Sequence, residues 1–109
     1  ITLVEQHALD NGLTILLKGP TDIISNGKTT YLCKKNTPAM TVGGTGDVLS
    51  GLVAGLLSTN RNSLESAAAA SFICGLAGKH VQDKLGLHMT PMDLIDAIPN
   101  VMKPFDKII

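Results

Sequence analysis

The sequence predicts the C-terminal part of an α/β domain: a lone strand and a hairpin followed by three or four helices. Three observations carry this expectation. Leu13 to Lys18 is a mostly continuous apolar run, the mark of a strand covered on both faces. Only one hairpin, Asp22 to Lys34, is available beside it, so a larger sheet is expected N-terminal to Ile1. From Val48 onward the apolar spacing is helical, with cap signals at the helix ends. The opening helical segment also begins at the first residue with no N-cap, as though cut. Residues 1–109 are therefore read as a single C-terminal portion of one domain, too short for two.

Taken in order, Ile1–Asp10 carries Leu3, Val4, His7 and Ala8 at helical spacing, and Asn11-Gly12 is a natural helix C-cap. The Leu13–Lys18 strand is broken by Gly19-Pro20. Asp22–Ser25, Asn26-Gly27 and Thr29–Lys34 read as a hairpin with a type I′ turn. Asn36–Met40 is a loop leading into Thr41-Val42-Gly43-Gly44-Thr45-Gly46-Asp47-Val48-Leu49-Ser50-Gly51, which holds four of the eleven glycines. The apolar run from Val48 to Leu57 follows as a buried helix with Asp47 in its first turn. Asn62-Ser63-Leu64-Glu65 has the form of a capping box, and its helix is expected to reach about Leu85, closed by Gly86. Small residues along it (Ala67 to Ala70, Ser71, Gly75, Gly78) predict close approach to the helix before it. Thr90-Pro91-Met92-Asp93 opens another helix, with Thr as N-cap, Pro at N1 and an acid at N3. It is expected to stop before Pro99.

Composition removes several function classes. The formal net charge is zero and no basic face is present, which argues against nucleic acid. Apolar residues make up 44% but aromatics only 3%, with no Trp, so the interior is aliphatic and stacking platforms for single strands are lacking. Cys33 and Cys74 fit neither a CxxC pair nor a zinc spacing and are expected as free thiols. His7, His80 and His88 share no ligand spacing, so no metal site is expected, and His80 is left without a role. Lys34-Lys35 reads as a solvated strand end, and Arg61 is only weakly placed to reach a phosphate. No charged-then-apolar leader opens the chain, and the apolar stretch after Asp47 breaks at Ser58–Arg61, short of the roughly 20 residues a membrane span needs. A cytoplasmic protein with no membrane partner is expected.

The chemistry is expected at the glycine stretch. The loop is not a Walker A motif, because Asp47 follows Gly46 where Lys-Ser/Thr would stand, and it lacks the glycine spacing of a dinucleotide fingerprint. It does offer backbone donors from Gly44 to Asp47 at a helix N-terminus, which suits an anion. The adjacent carboxylate can accept the proton of a hydroxyl that attacks that anion, so the parts for phosphoryl transfer are present. The alternative is an acid that merely caps its helix, with glycines for tight packing.

Gly43-Gly44-Thr45-Gly46-Asp47 followed by Val48-Leu49-Ser50-Gly51 resembles the GGTGDVLSG signature of the ribokinase-like superfamily. Within it the chain is most similar to the ADP/ATP-dependent NAD(P)H-hydrate dehydratases, also known as YjeF-type carbohydrate kinases. Leu16-Leu17-Lys18-Gly19 followed by Thr21 resembles the family's LKG-x-T strand end, and Pro38-x-Met40 its N-P-G-M lead-in, with Thr37 and Ala39 in place of Asn and Gly. Thr90 to Pro99 resembles its C-terminal helix. The likeness covers about Leu13 to Met102 in the right order.

The resemblance implies a ribokinase-like three-layer fold. It implies Asp47 as catalytic base, in contact with substrate, and the backbone of Gly44, Thr45 and Gly46 as anion hole. Lys18, Gly19, Thr21 and Gly46 would hold the nucleotide, ADP or ATP. Magnesium is implied with the nucleotide, its ligands lying outside this chain. The substrate would be hydrated NADH or NADPH, phosphorylated on its hydroxyl and then freed of phosphate. A sugar or hydroxymethylpyrimidine kinase of the same superfamily and a non-catalytic nucleotide-binding or assembly module are the competing readings. The 109 residues alone are expected to be inactive, and the open sheet edge predicts a homo-oligomer.

Overall fold

The computed structural model describes residues 1–34, 44–59 and 62–105. Helix α1 (Thr2–Asn11) has no side-chain cap at Ile1 and closes on Gly12. Gly12 adopts φ 62°, and its N–H reaches back to the carbonyls of the last turn. Strands β1 (Ile15–Leu17), β2 (Thr21–Ser25) and β3 (Thr30–Lys34) follow. Then come helices α2 (Thr45–Thr59), α3 (Ser63–Leu85) and α4 (Pro91–Met102), and a single 3₁₀ turn, Lys103–Phe105.

The first strand does not stand alone. The three strands form an antiparallel meander in the order β1-β2-β3, with Leu16 opposite Ile24 and Ile24 opposite Tyr31. Nor is β1 covered on both faces among the described residues: Leu16 packs into the helices while Leu17 is half-exposed. A continuous apolar run fits burial on both sides, but among the described residues β1 has a strand partner on one side only.

The hairpin turn also departs from expectation. A type I′ turn needs positive φ at both central residues, yet Gly27 (φ 90°) has it and Asn26 does not. The connection is a four-residue loop, 26–29, flanked by the Ser25–Thr30 pair. Asn26 Oδ1 accepts from the N–H groups of Lys28 (2.9 Å) and Thr29 (2.8 Å), so the loop satisfies itself from its own side chain.

Strand alternation turns Ile24 toward α3, where it packs with Leu64 and Ala67. The opposite face carries Ser25 and Thr30, and here α1 covers the sheet through Glu5, which accepts from Thr30 Oγ1 at 2.7 Å. At this end the sheet lies between helices on both faces. A larger core of Leu49, Ala70, Cys74, Ala77, Val81, Met89, Leu94 and Ala97 joins α2, α3 and α4. Complete burial of Ile24 and Leu94 contributes about 1.5–3 kcal/mol each. The small residues of α3 admit two helices, α4 as well as α2.

The caps stand where the sequence placed them, although at Asn62 only the Asn62 half of the expected box, its side chain accepting from Glu65, is seen. Asn62 accepts from the Glu65 N–H at 3.0 Å, and Gly86 closes α3 at φ 65°. Thr90 and Asp93 form a reciprocal capping box. The expected stop before Pro99 does not occur, and α4 runs through it to Met102. A proline inside a helix removes one i→i−4 bond. Here that loss falls at Ile95, on the exposed side, while Leu94, Ala97, Ile98 and Val101 pack the other side against the core. Packing outweighs the broken bond. Cys74 is buried and Cys33 half-buried, and neither is in a disulfide.

Candidate active site

The front of α2 meets two other elements. Gly44 precedes the helix and its carbonyl accepts the Val48 N–H at 3.2 Å, closing the first turn. It has φ 95°, and a Cβ there would stand 2.7 Å from Cγ of Pro91, the first residue of α4. Two independent reasons therefore demand glycine: the backbone conformation and the close approach of α4. N–H groups in the first turn of a helix point outward with no carbonyl of their own helix to meet, and the helix dipole adds partial positive charge there.

Lys18 arrives from the end of β1. Its Nζ donates to Oγ1 of Thr45 at 3.1 Å. Thr45 is buried, so the ammonium is held against the helix start. A Cβ on Gly46 would lie 3.3 Å from the same Nζ, so a side chain there would press the lysine tip aside by a few tenths of an ångström.

Asp47 is exposed and borders two clefts of about 450 Å³ each. One runs between β1 and α2 and is lined by Leu16, Lys18, Gly46, Asp47, Leu49, Ser50 and Val53. The other runs between α2 and α4, with Gly44, Asp47, Val48, Gly51, Leu52, Pro91, Ile95 and Ile98 on its walls. Asp47 thus lies on the ridge shared by both. One cleft has a lysine on its wall and the other is mainly apolar.

The structure accordingly brings Lys18, Thr45, Gly46 and Asp47 together, with Gly44 at the edge. Gly19 and Thr21 line neither cleft among the described residues. Gly19 sits in the turn after Lys18, where its N–H donates to Asp22 Oδ1 at 3.1 Å. Thr21 opens β2 on the strand face opposite to Asp22. Asp22 itself escaped the sequence reading. Its available signal was an acid set in the strand Asp22-Ile23-Ile24, where apolar residues are the rule. The contact of Pro91 with Gly44 had no sequence signal.

Gly43, the lead-in Thr37-Pro38-Ala39-Met40, Lys35 and Arg61 lie outside the described residues. Lys34 is exposed, as a strand end should be. His80 borders a separate cleft of about 210 Å³ between α3 and α4 that shares no residue with those beside Asp47. Among the described residues, no group of three or more His, Cys, Asp or Glu side chains is placed to hold a metal ion, and no helix is long and apolar enough to cross a membrane.

A helix start that demands glycine, a lysine held against it and an exposed acidic residue beside two clefts thus meet at one edge of an α/β fold. Comparison with known proteins makes the class specific. A family model described as NAD(P)H-hydrate dehydratase, of the carbohydrate-kinase group, matches residues 1–100, and the chain belongs to that family. It is 75% identical over 108 residues to an ADP-dependent (S)-NAD(P)H-hydrate dehydratase of Nitrosopumilus maritimus, covering 99% of this chain and 38% of that protein. The enzyme of the same name from Cenarchaeum symbiosum is 60% identical, over 98% of this chain and 37% of its own length. Among solved structures, the ADP/ATP-dependent NAD(P)H-hydrate dehydratase of Bacillus subtilis, co-crystallized with ATP and Mg2+ and soaked with CoA, has the same fold. It superposes with a TM-score of 0.87 at 25% identity, covering 95% of this chain and 39% of that one. The chain thus spans about two-fifths of the length of the relatives it matches.

Proposed function

We propose that this chain supplies the phosphoryl-transfer end of a nucleotide-dependent NAD(P)H-hydrate dehydratase. The observation that carries the reading is the position of Asp47, on the ridge between two clefts and in the first turn of α2, one residue from the glycine that faces Lys18. The family membership and the names of the close relatives support the substrate: the hydrated nicotinamide ring of NADH or NADPH, with ADP or ATP as donor.

The chemistry asked of each residue follows from charge and reach. As the ring hydroxyl attacks the terminal phosphorus of the nucleotide, its proton passes to the Asp47 carboxylate. The new O–P bond forms as the bond to the leaving nucleotide breaks. Charge on the phosphoryl oxygens is met by the backbone of Gly44, Thr45 and Gly46. Lys18 and Gly46, with Gly19 and Thr21 at the turn beyond, hold the nucleotide. Phosphate then leaves the ring carbon with its bonding electrons and a neighbouring carbon loses a proton, which restores NADH or NADPH. Magnesium accompanies the nucleotide chemistry. Its ligands are expected to be the nucleotide phosphates and groups outside this chain.

Asp47→Asn in the full-length enzyme tests the base. Loss of a general base is expected to lower kcat by roughly 10²–10⁴-fold with ADP affinity little changed. A near-normal rate would reduce Asp47 to a helix cap. Release of NADH from its hydrate with ADP or ATP separates this reading from a sugar or hydroxymethylpyrimidine kinase. The 109 residues by themselves are expected not to turn over, because they span only about two-fifths of the length of the relatives; activity from the purified chain would overturn that.

The chain should also self-associate. Leu17, Ile23 and Leu32 stand side by side across the three strands, on the face away from α3, and Leu17 and Leu32 are exposed by 49% and 57%. An apolar row beside open strand edges favours pairing. Light scattering at micromolar concentration should show a species larger than the monomer, and a monomer would exclude a homo-oligomer.

A further inference from the structure

Asp22 has no exposed surface, although it is a carboxylate in the middle of a strand. Alternation turns it with Ile24 toward α3, where an aliphatic residue would pack at less cost. A carboxylate can only accept hydrogen bonds when ionised, so its value there lies in what donates to it. Oδ2 accepts from the hydroxyl of Ser71 at 2.7 Å, and Ser71 on α3 is itself fully buried. Oδ1 accepts from the backbone N–H of Gly19 at 3.1 Å. Gly19 follows Lys18 directly, beyond the last β1–β2 pair, Leu17 opposite Ile23. The strand ladder therefore ends before the residues that matter, and Asp22 takes over from it.

We propose that Asp22 is a positioning residue for the phosphate site: anchored on Ser71 of α3, it holds the Gly19 amide and so fixes the strand end that aims Lys18 at Thr45 and Gly46. An unbroken line of contacts runs from the buried face of α3 through Asp22 and the Gly19 turn to the start of α2. A long lysine side chain alone is mobile, and holding its backbone is what keeps Nζ within 3.1 Å of Thr45 Oγ1. The inference rests on reading Lys18 as a nucleotide contact.

The test is a double-mutant cycle in the full-length enzyme, with ADP as the probe and both KM for ADP and kcat measured. Asp22→Asn is expected to raise KM for ADP about tenfold while kcat falls less, since misplacement of a binding group outweighs loss of a distant one. In a Lys18→Ala background the same substitution should add less than about twofold, because both act through one contact. A fall in melting temperature with KM unchanged, or a loss that adds in full to that of Lys18→Ala, would overturn the proposal and leave Asp22 as packing. Should Asp22→Asn fail to fold, Ser71→Ala, which leaves the carboxylate in place, carries the same cycle with an expected rise of about threefold. If Lys18→Ala itself leaves ADP affinity untouched, the nucleotide reading of Lys18 fails and this proposal with it. If Lys18→Ala weakens ADP and neither partner substitution does, only the positioning role is lost.

Discussion

The sheet has two turns, and they are held in opposite ways. The loop after β2 is built from its own residues: Asn26 Oδ1 takes two backbone N–H groups within three positions, and the Asn26 N–H meets the Thr29 carbonyl at 3.2 Å. The turn after β1 borrows its support from far away, through Asp22 to Ser71, 49 residues along the chain. The first turn joins strands and closes its hydrogen bonds within itself, with Gly27 packed against Leu9 of α1. The second delivers Lys18 to the start of α2, and its position relative to the rest of the protein is what counts. A turn with a purely structural task can close locally, whereas one that presents a side chain to a site gains from being tied to the body of the fold.

This contrast can be broken by substitution. The largest effect on stability is expected from Gly27→Ala. A Cβ there would stand 2.7–2.8 Å from the backbone and Cβ of Leu9 on α1, and Gly27 has φ 90°. Backbone strain and forced displacement together should cost about 2–4 kcal/mol in denaturant unfolding. Affinity for ADP should stay within about twofold, because among the described residues no hydrogen bond links this turn to Lys18 or Gly19. A marked loss of ADP binding would erase the distinction between the two turns. Next comes Asp22→Asn, read in KM for ADP rather than in melting temperature, as set out above. Asn26→Ala is the mildest, removing one acceptor from an exposed loop where water can replace it. A loss of about 1 kcal/mol in unfolding, with kinetics unchanged, is expected. A kinetic effect larger than that on stability would show that the Asn26 loop also communicates with the site.

The features that could be read from the chain were those whose cause lies within a few residues. Gly12 and Gly86 close their helices, Asn62 caps α3 by accepting the Glu65 N–H, and Thr90 with Asp93 forms a full capping box, each at the position its spacing announced. Asp47 stands in the first turn of α2, as the glycine stretch implied. Pro99 shows the limit of such reading. Local rules end the helix before it, yet the burial of Leu94 and Ala97 against α3 carries α4 onward, and that energy is invisible to a local pattern. The hairpin shows the same limit from the other side, since an Asn-Gly pair can serve in a four-residue loop as well as a two-residue turn.

For the site itself, the sequence by itself determined the glycine stretch, the acid and the family to which they belong. Those follow from residue identity at fixed spacing, because a helix start and an anion-binding loop are local objects. Only the tertiary structure decided that Lys18 reaches Thr45, that Pro91 presses on Gly44, and that Asp47 stands between two clefts. It also decided that a buried carboxylate in β2 holds the lysine's turn to α3. The physical reason is one of range. Capping and backbone freedom act over three or four residues, whereas a side chain meets a partner 27 or 49 positions away only after packing has brought the two elements together.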